Sequence, residues 1–132
     1  MKKFIFIAVL IILVDQLSKF FLTGVHKGII NYTTNTGAAF SILTGFNNLL
    51  MIVATIVAVF VFIFAKNYKI YRLPLAFILG GIIGNLIDRM FFGFVRDFID
   101  FGFWPIFNVA DSFNVIGVAF LIILLFKTKD LK

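Results

Sequence analysis

The sequence predicts an all-α membrane protein: a four-transmembrane-helix bundle formed by a single domain over residues 1–132. Hydrophobic residues make up 62% of the chain and charged residues only 14%, whereas about a quarter of an ordinary soluble domain is charged. Four apolar segments are also long enough to cross roughly 30 Å of hydrocarbon. They are predicted at residues 4–22, 46–65, 73–92 and 106–126.

The first span begins like a secretory signal peptide, with two lysines before an apolar run. No small-x-small cleavage site follows, and the run continues to Leu22, so we expect an uncleaved helix. A short basic segment, residues 66–72, separates the second and third spans. Pro74 suits the first turn of the third helix, where its missing N–H costs nothing.

The distribution of cations predicts the orientation, because positive residues favour the cytoplasmic side. Eight lie on one side of the predicted membrane: Lys2, Lys3, Lys66, Lys69, Arg72, Lys127, Lys129 and Lys132. Four lie towards the other: Lys19, Lys27, Arg89 and Arg96. Both termini are therefore predicted to be cytoplasmic. Since the cations follow the spans in this way, the net charge of +6 does not indicate a nucleic-acid partner.

The two longer connections are predicted to lie outside the cytoplasm. Residues 23–43 contain β-branched and small residues, which favour a short β structure with turns at the membrane surface. Residues 93–105 are aromatic and begin at a glycine, as is typical of a segment lying at the membrane interface.

Carboxylates within the apolar segments predict a working site, because a charge in hydrocarbon is costly unless it faces a protein interior or an aqueous cavity. At about 1.5 Å of rise per residue, Asp15 lies roughly 16 Å above Phe4, and Asp88 roughly 22 Å above Leu73. Asp111 lies only about 7 Å below Ile106. All three fall in the outer half of the membrane, so we expect a cavity that opens outward.

Two charge pairs are expected to be mainly structural or substrate-positioning. Asp15 and Lys19 are spaced i,i+4 with the acid first, the favourable order for an ion pair. Asp88 and Arg89 are adjacent and are predicted to balance each other between helices.

Small and amide residues predict close contact between the helices. Gly80 and Gly84 form a small-xxx-small pair, which is typical of tight helix packing. Asn85 and Asn108 are consistent either with hydrogen bonds between helices or with a place in the site.

Asp97 and Asp111 differ from the paired acids, because neither has a basic residue at i±3 or i±4. If the loop folds back on the fourth helix, the two carboxylates meet near the outer interface. Two close carboxylates share a proton, so one can activate water while the other protonates a peptide carbonyl. Asp100 competes with Asp97 for the loop position, and spacing alone leaves both open.

Other chemistries are disfavoured. The chain has no cysteine and one histidine, His26, which we expect at the surface; these counts argue against thiolate chemistry, a multi-histidine metal site and a cofactor. Ser18 and Lys19 diverge by about 100° on a helix, which argues against a serine–lysine pair. A proton-coupled carrier remains the non-enzyme alternative, although carriers commonly place their sites at the midplane between repeats.

Five sequence blocks, in order, resemble the bacterial lipoprotein signal peptidase (signal peptidase II) family over essentially the whole chain. They are Asp15-Gln16-Leu17-Ser18-Lys19, Asn35-Thr36-Gly37-Ala38-Ala39-Phe40, Gly84-Asn85-Leu86-Ile87-Asp88-Arg89, Val95-Arg96-Asp97-Phe98-Ile99-Asp100-Phe101 and Phe107-Asn108-Val109-Ala110-Asp111-Ser112.

The resemblance implies that Asp97 and Asp111 form an aspartic catalytic dyad, which leaves Asp100 a supporting role. It implies that a further set of residues lines the site, holds substrate or supports it: Asp15, Lys19, Asn35, Gly37, Asn85, Asp88, Arg89 and Asn108. No metal is implied.

The resemblance also implies a small extracytoplasmic β-cradle on the helix bundle, and a place in the bacterial inner membrane. The implied activity is that of an aspartic endopeptidase that removes the signal peptide from diacylglyceryl-modified prolipoproteins, cleaving before the lipidated cysteine. Membrane lipid and the lipidated prolipoprotein are the implied partners, and a monomer is expected. The chain departs from the family in its first outer connection, which is short between Leu22 and Asn35.

Overall fold

Four helices dominate the computed structural model, which describes residues 1–37 and 43–129. Helix α1 spans Lys2–Leu22, α2 Asn47–Asn67, α3 Arg72–Phe92 and α4 Val109–Lys129, and a 3-10 turn at Lys69–Tyr71 joins α2 to α3. All four are long and apolar enough to cross a membrane. The predicted four-helix membrane architecture is therefore confirmed.

Helix α3 lies at the centre of the bundle, and each of the other three helices packs against it. Its glycines allow the close approach: a Cβ at Gly80 would lie 2.8 Å from the Cβ of Ile11, and one at Gly84 would lie 2.7 Å from a carboxylate oxygen of Asp15. Within a membrane, helices associate through such packing, because lipid offers no hydrophobic gain on association. The predicted glycine packing is confirmed.

The outward faces of the helices carry exposed apolar side chains along their length, as expected for contact with lipid. Examples are Phe6 on α1, Phe60 on α2, Phe91 on α3 and Ile123 on α4. The buried polar side chains gather at one end of the bundle: Asp15, Lys19, Asp88, Arg96, Asp97 and Asn108. The bundle is thus apolar outside and polar at one interior end.

A three-stranded antiparallel sheet covers that end of the bundle, in the order β1 (His26–Lys27), β2 (Ile30–Asn35) and β3 (Val95–Ile99). The predicted β structure in the first connection is confirmed. The second connection is predicted only as an interfacial segment, whereas it also contains a strand, because Val95–Ile99 pairs with β2 and is largely buried. Only the part after the strand, with Phe103 85% exposed, projects from the surface.

Two backbone signals direct the chain from α3 into the sheet and back into α4. Gly93 adopts a φ of +78°, which favours glycine, and its N–H donates to the carbonyl of Arg89 to end α3. Helix α4 begins at Val109, three residues later than predicted. The reason is that Phe107 still pairs with Ile99 and Asn108 caps the helix. Asp111 therefore lies in the first turn of α4.

Candidate active site

Asp97 lies on β3, opposite Thr33 of β2, and is only 2% exposed. Its carboxylate accepts a 2.7 Å hydrogen bond from Asn108 Nδ2 and a side-chain hydrogen bond from Asn35. Burial, and after it the nearby charge of Asp111, raise the pKa of Asp97 to about 7, although the two hydrogen bonds oppose the shift. Asp97 can therefore hold a proton near neutral pH.

Asp111 is fixed by a reciprocal cap at the start of α4. The Asn108 side chain accepts a hydrogen bond from the Asp111 N–H at 2.9 Å, and the Asp111 carboxylate accepts one from the Asn108 N–H at 3.2 Å. This is the arrangement of a capping box. It places the carboxylate at the positive end of the helix dipole, where negative charge is favoured.

Both carboxylates line one cavity of about 750 Å³ at the sheet end of the bundle. Its polar wall comes from β2, α3 and the first turn of α4, and includes Asn35, Asn85 and Arg89. Its other wall is apolar and comes largely from α2, through Leu50, Val53, Ala54 and Val57. The expected convergence of the loop carboxylate with Asp111 is thus observed.

Asp100, the competing loop carboxylate, lies elsewhere. It accepts hydrogen bonds from Asn31 Nδ2 and from the Gly102 N–H, both at 2.8 Å, and the bond from Asn31 lowers its pKa. It does not line the cavity. The geometry favours Asp97 over Asp100. The two are three positions apart, and side chains an odd number of positions apart along an extended chain face opposite sides.

A buried charge cluster of Asp15, Lys19 and Asp88 lies between α1 and α3, next to the site. Lys19 Nζ lies 2.8 Å from Asp15 and 3.5 Å from Asp88, and all three side chains are fully buried. The predicted Asp15–Lys19 pair is confirmed. Asp15 also accepts a 2.8 Å hydrogen bond from the Ala110 N–H, and Lys19 donates one to Asn85 at 3.0 Å. The cluster therefore ties α1 to both the start of α4 and the amide of Asn85.

The predicted pairing of Asp88 with Arg89 is wrong. Asp88 pairs instead with Arg96, whose guanidinium donates at 2.8 Å and 3.1 Å. Arg89 lines the cavity and donates to Asn47 and to the backbone carbonyl of Gly37. Adjacent helix positions point about 100° apart, so the two side chains leave α3 in different directions.

The remaining predicted residues are brought to the same end of the bundle. Asn85 donates to Asp111 at 2.7 Å, and Asn35 accepts from the Gly37 N–H at 2.9 Å. Gly37 thus takes part through its backbone alone: its N–H donates to Asn35, and its carbonyl accepts a hydrogen bond from Arg89.

Two residues that the sequence analysis did not assign to the site complete the buried cluster. Gln16 donates to Asp15 and Asp88 at 3.1 Å, and accepts from Arg96 at 3.0 Å. The backbone N–H of Arg96 also bonds to Asp88 at 2.9 Å. Gln16 follows Asp15 in the sequence and Arg96 precedes Asp97, and this adjacency could have indicated that both belong to the site.

The alternatives gain no support from the geometry. Ser18 donates to the Asp15 carbonyl at 2.8 Å and so turns away from Lys19. His26 is exposed on β1, as predicted, and bonds to Asn31. Over residues 1–37 and 43–129, no three His, Cys, Asp or Glu side chains gather in a way that could hold a metal ion.

Comparison with known proteins identifies the family. The model of signal peptidase (SPase) II matches residues 7–127. A lipoprotein signal peptidase from Syntrophomonas wolfei is 40% identical over 129 residues, covering 87% of each chain. One from Halothermothrix orenii is 43% identical over 101 residues, covering 74% of this chain and 70% of the relative.

Solved structures agree. A bacterial membrane enzyme determined at 2.3 Å resolution superposes with a TM-score of 0.88 at 32% identity, covering all of this chain and 92% of that one. A second, at 1.9 Å resolution, gives a TM-score of 0.80 at 31% identity, covering 95% and 93%. With the carboxylate cavity and the four apolar helices, these matches show that the chain belongs to the signal peptidase II family of membrane proteases.

Proposed function

We propose that this protein removes the signal peptide from diacylglyceryl-modified prolipoproteins, cleaving before the lipidated cysteine, with Asp97 and Asp111 as its catalytic pair. The observation that carries the proposal is their shared cavity: the two carboxylates line it together, and a hydrogen-bonded asparagine supports each. Family membership supplies the reaction class.

The two carboxylates take different roles in the proposed hydrolysis. Protonated Asp97 donates its proton to the scissile carbonyl oxygen, which suits its raised pKa. Ionised Asp111 accepts a proton from a water molecule, whose oxygen attacks the carbonyl carbon. The tetrahedral intermediate then collapses, breaking the C–N bond. The proton on Asp111 passes to the departing amine, and Asp97 recovers its proton from the intermediate's hydroxyl group.

The cavity's position supports a substrate that arrives from the lipid. Both α2 and α4 pack on α3, and the cavity between them has an apolar wall at Leu50, Val53 and Val57. A signal peptide is itself an apolar helix in the bilayer, so this opening suits lateral entry. Arg89 faces the same cavity and is suited to hold a substrate carbonyl or lipid oxygen through charge-assisted hydrogen bonds.

For the orientation, we propose both termini in the cytoplasm and the cavity near the outer face of the bacterial inner membrane. The excess of cations at the opposite end of the bundle supports this arrangement. Single cysteines at Lys27 and Lys69 test it with a membrane-impermeant reagent on whole cells. Labelling at position 27 alone is expected, and labelling at position 69 alone would reverse the orientation. A monomer is proposed because both carboxylates of the proposed catalytic pair belong to one chain and line one cavity.

The decisive experiment incubates the purified protein with a diacylglyceryl-modified prolipoprotein and, in parallel, with its unlipidated form. Cleavage of the lipidated substrate alone, at the bond before the modified cysteine, is expected. Equal cleavage of both forms would contradict the substrate assignment. Activity that chelator abolishes and a divalent ion restores would contradict the aspartic mechanism.

A further inference from the structure

Asn114 lines the cavity but takes no part in the buried charge cluster. It lies on α4, and its Oδ1 is buried with no hydrogen-bond partner among the residues that the structure describes. Leaving such an acceptor unpaired is costly, so a buried orphan in a native protein calls for an explanation.

The side chain occupies a space that a glycine keeps open. A Cβ at Gly81 would collide with Asn114 Oδ1 and with the carbonyl oxygen of Ala110. Glycine at this point of α3 thus lets the carboxamide lie flat against the helix. The terminal torsion of asparagine is broad, so rotation about it can turn Oδ1 away from Gly81 and towards the cavity that Asn114 lines.

Asn114 is also the deepest polar group of the lining. It lies three residues, or roughly 4.5 Å, further along α4 than Asp111. Around and below it the lining is apolar: Val53, Val57, Ile82 and Val115. On α3, the nearest polar lining residue is Asn85, one turn closer to the sheet than Gly81.

A peptide substrate in this cavity would offer hydrogen-bond donors that suit the unpaired Oδ1 of Asn114. Hydrolysis requires the peptide to unwind near the scissile bond, which frees backbone N–H groups, and within the membrane these must find partners in the protein. The signal-peptide side of the bond extends towards the membrane interior. An extended chain advances about 3.3 Å per residue, so a point roughly 4.5 Å deeper than Asp111 lies one or two residues along it.

We infer that Asn114 is a substrate-positioning residue whose side-chain carbonyl accepts a hydrogen bond from a backbone N–H one or two residues to the signal-peptide side of the scissile bond. The inference rests on the proposed function. The ligand class is an unwound peptide backbone, so the contact is independent of the substrate's side chains.

The test combines an enzyme variant with ester-substituted substrates, because an ester replaces a backbone N–H with oxygen. Asn114→Leu keeps the approximate size of the side chain and removes its polarity. The lipidated prolipoprotein peptide carries a single ester at the first or the second position on the signal-peptide side. The matched control substrate carries its ester two residues into the mature side.

With the all-amide substrate, Asn114→Leu is expected to lower kcat/KM by about 3- to 10-fold, the range for one net hydrogen bond. One of the two signal-side esters is expected to cost the wild-type enzyme a similar factor and the variant less than about 2-fold, because coupled groups are not additive. The mature-side ester is expected to cost both enzymes equally.

An ester penalty that is the same in both enzymes overturns the inference, as does a wild-type enzyme that is indifferent to both signal-side esters. A variant that loses thermal stability but keeps full ester sensitivity shows a packing role only and also overturns it. If Asn114→Leu does not fold, Asn114→Ala replaces it. Failure of the wild-type enzyme to cleave the all-amide lipidated peptide would instead contradict the proposed function.

Discussion

The side chains of Asn85 and Asn108 are hydrogen bonded to each other, with Asn108 Nδ2 donating to Asn85 Oδ1 at 3.0 Å. Each donates a second bond, of 2.7 Å, to a different carboxylate: Asn85 to Asp111 and Asn108 to Asp97. The two amides therefore bridge the two acids. This bridge holds the two carboxylates in a fixed arrangement, whereas Asp88, three residues after Asn85, takes no part in it and pairs with Arg96.

The first prediction concerns the two carboxylates. Asp97→Asn and Asp111→Asn should each lower kcat by about 10²–10⁴-fold, since asparagine can neither donate nor accept the catalytic proton. The double variant should lose little more, because groups that act as a unit are not additive. Asp100→Asn is the matched control and should retain activity, because Asp100 is half-buried outside the cavity. A dead Asp100→Asn beside an active Asp97→Asn would reverse the assignment.

The second prediction is an alkaline limb in the activity profile. Asp97 acts as the proton donor in the proposed mechanism, and its pKa is raised to about 7. The value of kcat/KM should therefore decline as the pH rises through about 7. Measured across pH 5–9 in one detergent, the limb should persist in Asp100→Asn. A rate that stays constant to pH 9 would exclude protonated Asp97 as the acid.

The third prediction concerns stability at Asp97. Its pKa is about 7 in the folded protein against 3.8 for a free side chain, so the folded state holds a proton that the unfolded chain releases between these values. The contribution of this group to the free energy of unfolding should fall as the pH rises from 3.8 to about 7. Melting curves of Asp97→Asn should show a weaker decline over this range than the wild type. An identical slope would argue against a buried, protonated Asp97.

The fourth prediction concerns Lys19, which is fully buried between Asp15 and Asp88. Lys19→Ala leaves two buried carboxylates short of a cation, at a cost of roughly 3–5 kcal/mol. Thermal stability in detergent should drop sharply. Lys27→Ala removes an exposed lysine and should change it little. A Lys19 variant of normal stability that has lost all turnover would give this residue a direct catalytic role.

The fifth prediction concerns Arg96, which anchors β3 beside Asp97. Its guanidinium donates to both oxygens of Asp88, at 2.8 Å and 3.1 Å. Lysine cannot reproduce this fork, so Arg96→Lys should cost about 1.5–3 kcal/mol, the value of a hydrogen bond to a charged group.

Activity should fall with it, because the strand positions the acid. Arg72→Lys at the far end of the bundle is the control, since the Arg72 side chain donates only to backbone carbonyls of α2 among its described contacts. Arg96→Lys with unchanged melting temperature and unchanged kcat would show that the fork does not hold the strand.

The sequence by itself determined the membrane class, the four helices and one local charge pair. An apolar run of about 20 residues crosses lipid as an α-helix, because every backbone N–H and C=O must find its hydrogen-bond partner within the segment. The i,i+4 pair of Asp15 and Lys19 followed from helical spacing alone. The family resemblance predicted Asp97 and Asp111 as the catalytic pair, although spacing left Asp97 and Asp100 as alternatives.

Only the tertiary structure decided which groups meet across elements. Asp88 pairs with Arg96 of β3 and not with the adjacent Arg89, and Asn85 and Asn108 join across α3 and α4. These contacts depend on where β3 crosses the bundle, and that position is set by strand pairing with β2 and by burial against the helices. Neither the strand pairing nor the burial can be recognised from hydrophobic periodicity in a strand of only five residues. Hydropathy fixes the depth of a polar residue in a span, whereas its partner depends on the packing of whole helices.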